Sequence, residues 1–151
     1  MLTKKGKYGL KALLHLARLK PEEMAFGAGI AEANNIPKKF LDLILLELRN
    51  DGIVRARRGP GGGYALARPA SKIRIGQIIR LLDGPLAPIR CASRTAYEPC
   101  RDCRSVEECE VRIAMLKVRD AMAEILDNIT LADLIAKKGR SPKARQLVGS
   151  L

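Results

Sequence analysis

Apolar residues recur at helical spacing along most of the chain. Tyr8, Ala12, Leu13, Leu16 and Ala17 return near every 3.6 positions, with Thr3 as N-cap and Pro21 closing the run. A first helix is therefore expected from Lys4 to Leu19, with the single histidine, His15, as a surface or packing residue along it. A short second helix, Ala28 to Asn34, follows the glycine-rich entry Phe26-Gly27-Ala28-Gly29, and Asn34-Asn35 supplies a turn because Asn tolerates the left-handed conformation. Pro37 suits the first position of a third helix, which runs to Asp51 and stops at Gly52. Its predicted buried stripe is Phe40, Leu41, Ile44, Leu45 and Leu48; Lys38, Lys39, Asp42, Leu43 and Glu47 face outward.

The period then changes. Residues 53–58 read as a strand, Gly59 to Gly63 as a turn, and residues 64–67 as the returning strand. Ile73 to Leu82 reads as a fourth helix with Ile75, Ile78, Ile79 and Leu82 inward; Gly84-Pro85 breaks it, and Pro85-Leu86-Ala87-Pro88 leads stiffly onward. Cys91 to Cys109 shows neither period and is expected to be a loop. Beyond it, Val111, Met115, Val118, Met122, Ile125 and Ile129 alternate steps of four and three, a heptad seam. At under three heptads, an antiparallel or crossing helix pair in a homodimer fits better than a free coiled coil; packing against its own domain is the alternative. Thr130 to Asp133 restarts a short helix with a capping box, and Lys, Gly, Ser, Pro and Arg after Lys137 suggest a loosely held tail. The expected organisation is a head over 1–84, a cysteine-rich sensor loop over 85–109, a dimerisation helix with a short C-terminal helix over 110–137, and a flexible basic tail over 138–151.

A short helix, a tight turn and a helix with a basic start, followed at once by a β-hairpin, make a winged helix-turn-helix. The fold class is mostly α with a small β-hairpin wing (α+β). An ordinary helical hairpin would lack the wing. The glycine run is not a Walker loop, since no Gly-Lys-Ser/Thr follows it.

Charge sharpens this picture. The 151 residues carry a formal net charge of +12, with +10 in residues 1–90 and +2 in the remainder. A polyanion, double-stranded DNA before an anionic membrane, should meet the first half. Apolar residues are 47% and aromatics 3%, so the core must be Leu, Ile, Val and Ala. No signal peptide or membrane-spanning run is visible, which points to a cytoplasmic protein. All four cysteines fall in 91–109, spaced Cys-x8-Cys-x2-Cys-x5-Cys. In that compartment clustered cysteines favour metal, cluster or redox chemistry over structural disulfides. Arg90, Arg101 and Arg104 would favour thiolate.

The start Leu2-Thr3-x-Lys5-Gly6-x-Tyr8, the run Ile30-Ala31-Glu32 with Ile36-Pro37-x-x-Phe40-Leu41, and the wing Arg58-Gly59-Pro60-Gly61-Gly62-Gly63-Tyr64-x-Leu66 resemble the Rrf-type winged-helix regulators, the IscR/NsrR/RirA family, over nearly all of residues 2–137. The resemblance implies a dimeric transcription factor, often carrying an iron–sulfur cluster. Lys38, Lys39, Asp42 and Leu43 take the base-reading start of the recognition helix, and Arg57, Arg58 and Gly61 to Gly63 the wing. The full candidate DNA-contact set is Thr3, Lys5, Lys38, Lys39, Asp42, Leu43, Arg57, Arg58, Gly61, Gly62 and Tyr64.

Cluster-binding members resemble this chain in placing three cysteines between the fourth helix and the dimer helix. The Cys91–Cys100 and Cys103–Cys109 intervals each look like family spacings. The histidine ligand that the resemblance places three residues beyond the last cysteine is here Arg112, and the first-helix positions that serve some relatives are Lys5, Lys7 and Tyr8. An all-cysteine site is then implied: Cys91, Cys100, Cys103 and Cys109 around a [4Fe–4S] or [2Fe–2S] cluster. Direct thiol or disulfide sensing and zinc are the alternatives.

The expected function is DNA-binding regulation. Two recognition helices enter successive major grooves of a pseudo-palindromic operator and the wings grip flanking minor grooves. Cluster or redox state in the loop biases the spacing of the two heads. A thiol-redox or metal-storage enzyme built on Cys100-x-x-Cys103 is disfavoured, because no βαβ pattern surrounds the motif and one histidine offers no nucleophile–base pair. A module that regulates a metabolic enzyme by protein–protein contact is the remaining rival.

Overall fold

A computed structural model describes residues 2–136. Helix α1 spans Lys4–Ala17 and is capped by Thr3, whose Oγ1 accepts from Gly6 N at 3.3 Å. It ends two residues before the expected Leu19, because the Arg18 amide turns back to His15 O and Leu19 N reaches Leu16 O, a tightened last turn. Helix α2 (Gly27–Asn34) ends on Asn35 at φ 53°, the left-handed turn expected there. Asn34 Nδ2 donates to Ile30 O and stands 3.1 Å from His15 Nδ1, so His15 pins α1 to α2 as a packing residue.

Helix α3 spans Lys38–Asn50, with Pro37 one position further out than expected, as N-cap. Its end is a closed C-terminal motif. Gly52 (φ 73°) donates to Arg49 O while Ile53, fully buried, donates to Leu48 O at 2.9 Å. Leu41, Ile44, Leu45 and Leu48 are buried as the spacing requires. Phe40 is not: it stays 36% exposed, at the margin of the stripe, and meets the Tyr8 ring edge-on at 5.7 Å. Tyr8 and Ala17 are likewise half-buried.

Strands β1 (Val54–Arg57) and β2 (Gly63–Leu66) pair antiparallel, Val54 opposite Leu66 and Arg57 opposite Gly63. Arg58 thus belongs to the turn and Gly63 to the strand. The hairpin is anchored to the body by Ala25, which exchanges two backbone hydrogen bonds with Tyr64 (2.9 and 2.7 Å). Gly63, at φ 124°, lies against the Ala25 backbone, where no side chain fits.

A 3-10 turn at Ala70–Lys72 takes up Ile73, so helix α4 runs Ile75–Asp83, starting two residues late. Ile75, Ile78 and Leu82 are buried, and Ile79 is half-buried against the core. Another 3-10 turn, Arg90–Ala92, lies inside the cysteine segment. Helix α5 (Glu110–Asn128) and helix α6 (Leu131–Ala136) complete the described chain. Ile129, expected on the long helix, follows its end in extended conformation and packs on the core.

The chain then returns to the head. Ile75 N donates to Ile129 O (2.9 Å) and Leu131 N to Ile73 O (3.0 Å). Leu131 is fully buried in the same core as Leu13, Ile44 and Ile78, and each such side chain contributes about 1.5–3 kcal/mol. The capping box at α6 is formed: Thr130 N and Oγ1 donate to Asp133 Oδ2 and Asp133 N donates to Thr130 Oγ1. Lys137 and the expected tail 138–151 lie outside the described residues.

Candidate DNA-contact surface and cysteine centre

The outward face of α3 carries Lys38, Lys39, Asp42 and Leu43, all exposed. Lys38 Nζ holds both oxygens of Asp42, at 2.6 and 2.8 Å, one helical turn apart. That fixes the carboxylate on the face, while Lys39 makes no hydrogen bond or ion pair with the described residues. Leu43 is 59% exposed. Spacing put these residues on the outward face, as found, and passed over Leu46, one turn further on the same face, and Phe26 at the start of α2, both exposed. The 3.6-residue step from Lys39 through Asp42 and Leu43 would have found Leu46.

The two wing arginines have different jobs. Arg57 Nη2 folds back to donate to Gly61 O at 2.8 Å, and Gly62 N closes the turn on Gly59 O. Arg58 remains exposed, with no hydrogen bond or ion pair to the described residues. Tyr64 is half-buried beneath the hairpin, and Gly62 is buried behind the tip. Thr3 caps α1 and is clasped by Asp83, which accepts from Thr3 N and Oγ1. Lys5 pairs with Glu47 on α3 at 2.7 Å. These two candidates brace the surface; Lys39, Asp42, Leu43 and Arg58 are its open members.

The four cysteines, 91 to 109 in sequence, line one cavity of about 430 Å³ together with Ile89, Arg90, Pro99 and Val111. Cys91 is buried and the other three are half-buried. Cys103 sits between its neighbours. Thiol hydrogen bonds to Cys100 and then Cys109 push it up to about 12, and its sulfur is 3.6 Å from that of Cys109. Cys109 is the N-cap of α5 without a cap hydrogen bond of normal geometry. The Arg112 amide, then the Cys103 thiol, still hold it below the usual thiol range. Of the arginines expected to favour thiolate, Arg90 is paired with Glu98 at 2.6 Å, and the leading cause at Cys109 is the Arg112 backbone amide.

Arg112, where the resemblance leads one to look for histidine, also donates from Nε to Cys91 O at 2.8 Å. Arg94 reaches Asp120 on α5 at 2.9 Å. Farther along α5, Asp127 takes a two-pronged bond from Arg80 on α4, at 2.6 and 2.8 Å. The loop is thus tied to α5, and α5 to the head. On α5, Val111, Val118 and Ile125 stand exposed, and Met115 and Met122 are half-buried.

Among the described residues, no three His, Cys, Asp or Glu side chains converge tightly enough to hold a single metal ion. Four sulfurs round a shared cavity are a donor set that fits a polynuclear iron–sulfur group.

A family model described as "Rrf2: Iron-dependent Transcriptional regulator" matches residues 2–137. The chain belongs to the Rrf2 family. A Rhodobacter capsulatus protein described as an rrf2-like HTH-type transcriptional regulator is 41% identical over 140 residues, covering 90% of this chain and 93% of its own. The solved structure of CymR, the global cysteine regulator of B. subtilis, superposes with a TM-score of 0.73 at 34% identity, covering 90% of this chain and 96% of that one. T. potens IscR superposes at 0.71 and 30% identity, covering 93% and 91%. This Rrf2 chain is accordingly a DNA-binding transcriptional regulator, and its relatives are regulators rather than enzymes. The winged helix built by α2, α3 and the hairpin is the fold these structures share. No helix among the described residues is long and apolar enough to cross a membrane.

Proposed function

We propose that this Rrf2 protein is a cytoplasmic homodimer that reads a pseudo-palindromic operator and whose DNA affinity is set by the state of its cysteine loop. One observation carries the reading: all four cysteines line one cavity at the α5 N-terminus, within a segment bonded to α5 at Arg112 and Arg94. Val111, Met115, Val118, Met122 and Ile125 form the face that a second copy covers.

On each half-site Lys39, Asp42 and Leu43 meet base edges in the major groove. Leu43 suits a thymine methyl and Asp42 a base amino group, while Arg58 reaches the flanking minor groove. Cys91, Cys100, Cys103 and Cys109 would hold an iron–sulfur cluster, [4Fe–4S] or [2Fe–2S], which supplies an oxidant-sensitive centre when bound. The chain's own residues carry the consequence. A rearrangement of the loop pulls on α5 through Arg112–Cys91 and Arg94–Asp120, and α5 pulls on α4 through Asp127–Arg80.

The test selects a duplex from a random pool with cluster-loaded protein, then compares its affinity for loaded and cluster-free protein at one salt concentration. A change of fivefold or more is expected; equal affinities reject the reading. A second reading, direct thiol sensing, is favoured by the 3.6 Å approach of two sulfurs.

A further inference from the structure

Cys103 meets two thiols, Cys100 and Cys109, and the second of them lies at the root of a helix. Cys103 Sγ stands 3.6 Å from Cys109 Sγ, while Cys91 is buried behind its 3-10 turn. A disulfide needs the sulfurs at about 2 Å. Residues 103–109 contain only bends, with no helix or strand to break on closure. Cys109 is the N-cap of α5, so the bond would be made at the root of the long helix. We infer that in the cluster-free chain Cys103 and Cys109 are a disulfide switch that a hydroperoxide closes.

The chemistry balances. One of the two sulfurs, as thiolate, takes the terminal oxygen of the hydroperoxide. The O–O bond breaks, and the other oxygen leaves as water or an alcohol after protonation. The second sulfur attacks the sulfenic sulfur, and hydroxide departs with the thiol proton as water. Two electrons pass from the thiol pair to the peroxide. The regulatory consequence rests on the reading that loop state sets DNA affinity; the bond itself does not.

Trypsin separates the four sulfurs cleanly. Arg90, Arg94, Arg101, Arg104 and Arg112 leave Cys91, Cys100, Cys103 and Cys109 in four different peptides. Full-length protein is purified without oxygen, treated with a chelator, exposed to one equivalent of hydrogen peroxide, blocked with a maleimide and digested without reductant. The expected product joins peptide 102–104 to peptide 105–112, with Cys91 and Cys100 blocked. Cys100→Ser still gives the joined peptide, and Cys103→Ser abolishes it. A different joined pair, four blocked thiols after peroxide, or loss of the bond in Cys100→Ser overturns the inference. The same samples are titrated with the selected duplex. A mapped bond with unchanged affinity would uphold the pair and reject the reading of loop control, so the two failures are told apart.

Discussion

Gly6 and Asp83 should behave as one unit, although 77 residues separate them. The Asp83 carboxylate accepts from Thr3 N (2.9 Å), from Gly6 N (3.0 Å) and from the Thr3 hydroxyl, filling the N-terminus of α1 from the end of α4. A methyl on Gly6 would overlap all three carboxylate atoms. Removing the carboxylate in Asp83→Ala forfeits a cap contribution of about 1–2 kcal/mol. It also loses a charge–dipole contribution of roughly 0.3–1 kcal/mol. Thr3 is exposed, so a loss near the lower end, about 1.5 kcal/mol, is expected. Gly6→Ala displaces the same carboxylate and should cost about 1 kcal/mol, because alanine's better helix propensity offsets part of the loss. In the Asp83→Ala background the obstacle is gone, and Gly6→Ala should turn stabilising by roughly 0.5–1 kcal/mol. The assay is urea unfolding of the four proteins by circular dichroism at one protein concentration, since association would otherwise shift the midpoint. An equal effect of Gly6→Ala in both backgrounds would refute the reasoning.

Asp127 is held below the usual carboxylate range by Arg80, so the pair adds stability at neutral pH that disappears as pH falls through the folded value. With side chains 30% and 36% exposed the effect should be about 1 kcal/mol or less, read as a flatter acid limb of the urea midpoint in Asp127→Asn; an unchanged limb counts against the pair. Leu131→Ala should cost about 2–5 kcal/mol in the same unfolding assay, and a loss under about 1 kcal/mol would place α6 outside the core. Arg58→Ala should weaken binding to every duplex and lower the salt slope by about one, whereas Lys39→Ala and Asp42→Ala should change which duplexes a random pool yields. Uniform scaling by all three would mean that α3 is not the reading element.

Much of this architecture is legible in short windows of sequence. The helices announce themselves by period, and the wing by a glycine run between two apolar stretches, because neighbours a few residues apart decide both. Boundaries moved where a distant partner intervened. Ile73 left α4 because Arg74 and Thr130 bridge, and Ile129 left α5 for the same junction. Phe40 kept its helical phase but found the Tyr8 ring at the surface instead of the interior. The outward face of α3 was readable from phase alone, whereas the bracing positions of Thr3 and Lys5 depend on Asp83 and Glu47, which no local pattern ties to them. The gathering of four thiols in one cavity was the least readable feature. An aperiodic segment gives sulfur spacing along the chain but not direction in space.

The antiparallel bridge between Arg74 and Thr130 makes the amino-terminal head depend on almost the last residues described. Synthesis runs from the amino end, so the ribosome must deliver the cysteine segment and the whole of α5 before Leu131 can fill its place. A nascent chain halted anywhere earlier presents an open apolar socket. The head therefore completes its core only after the cysteine segment and the long helix have both been made.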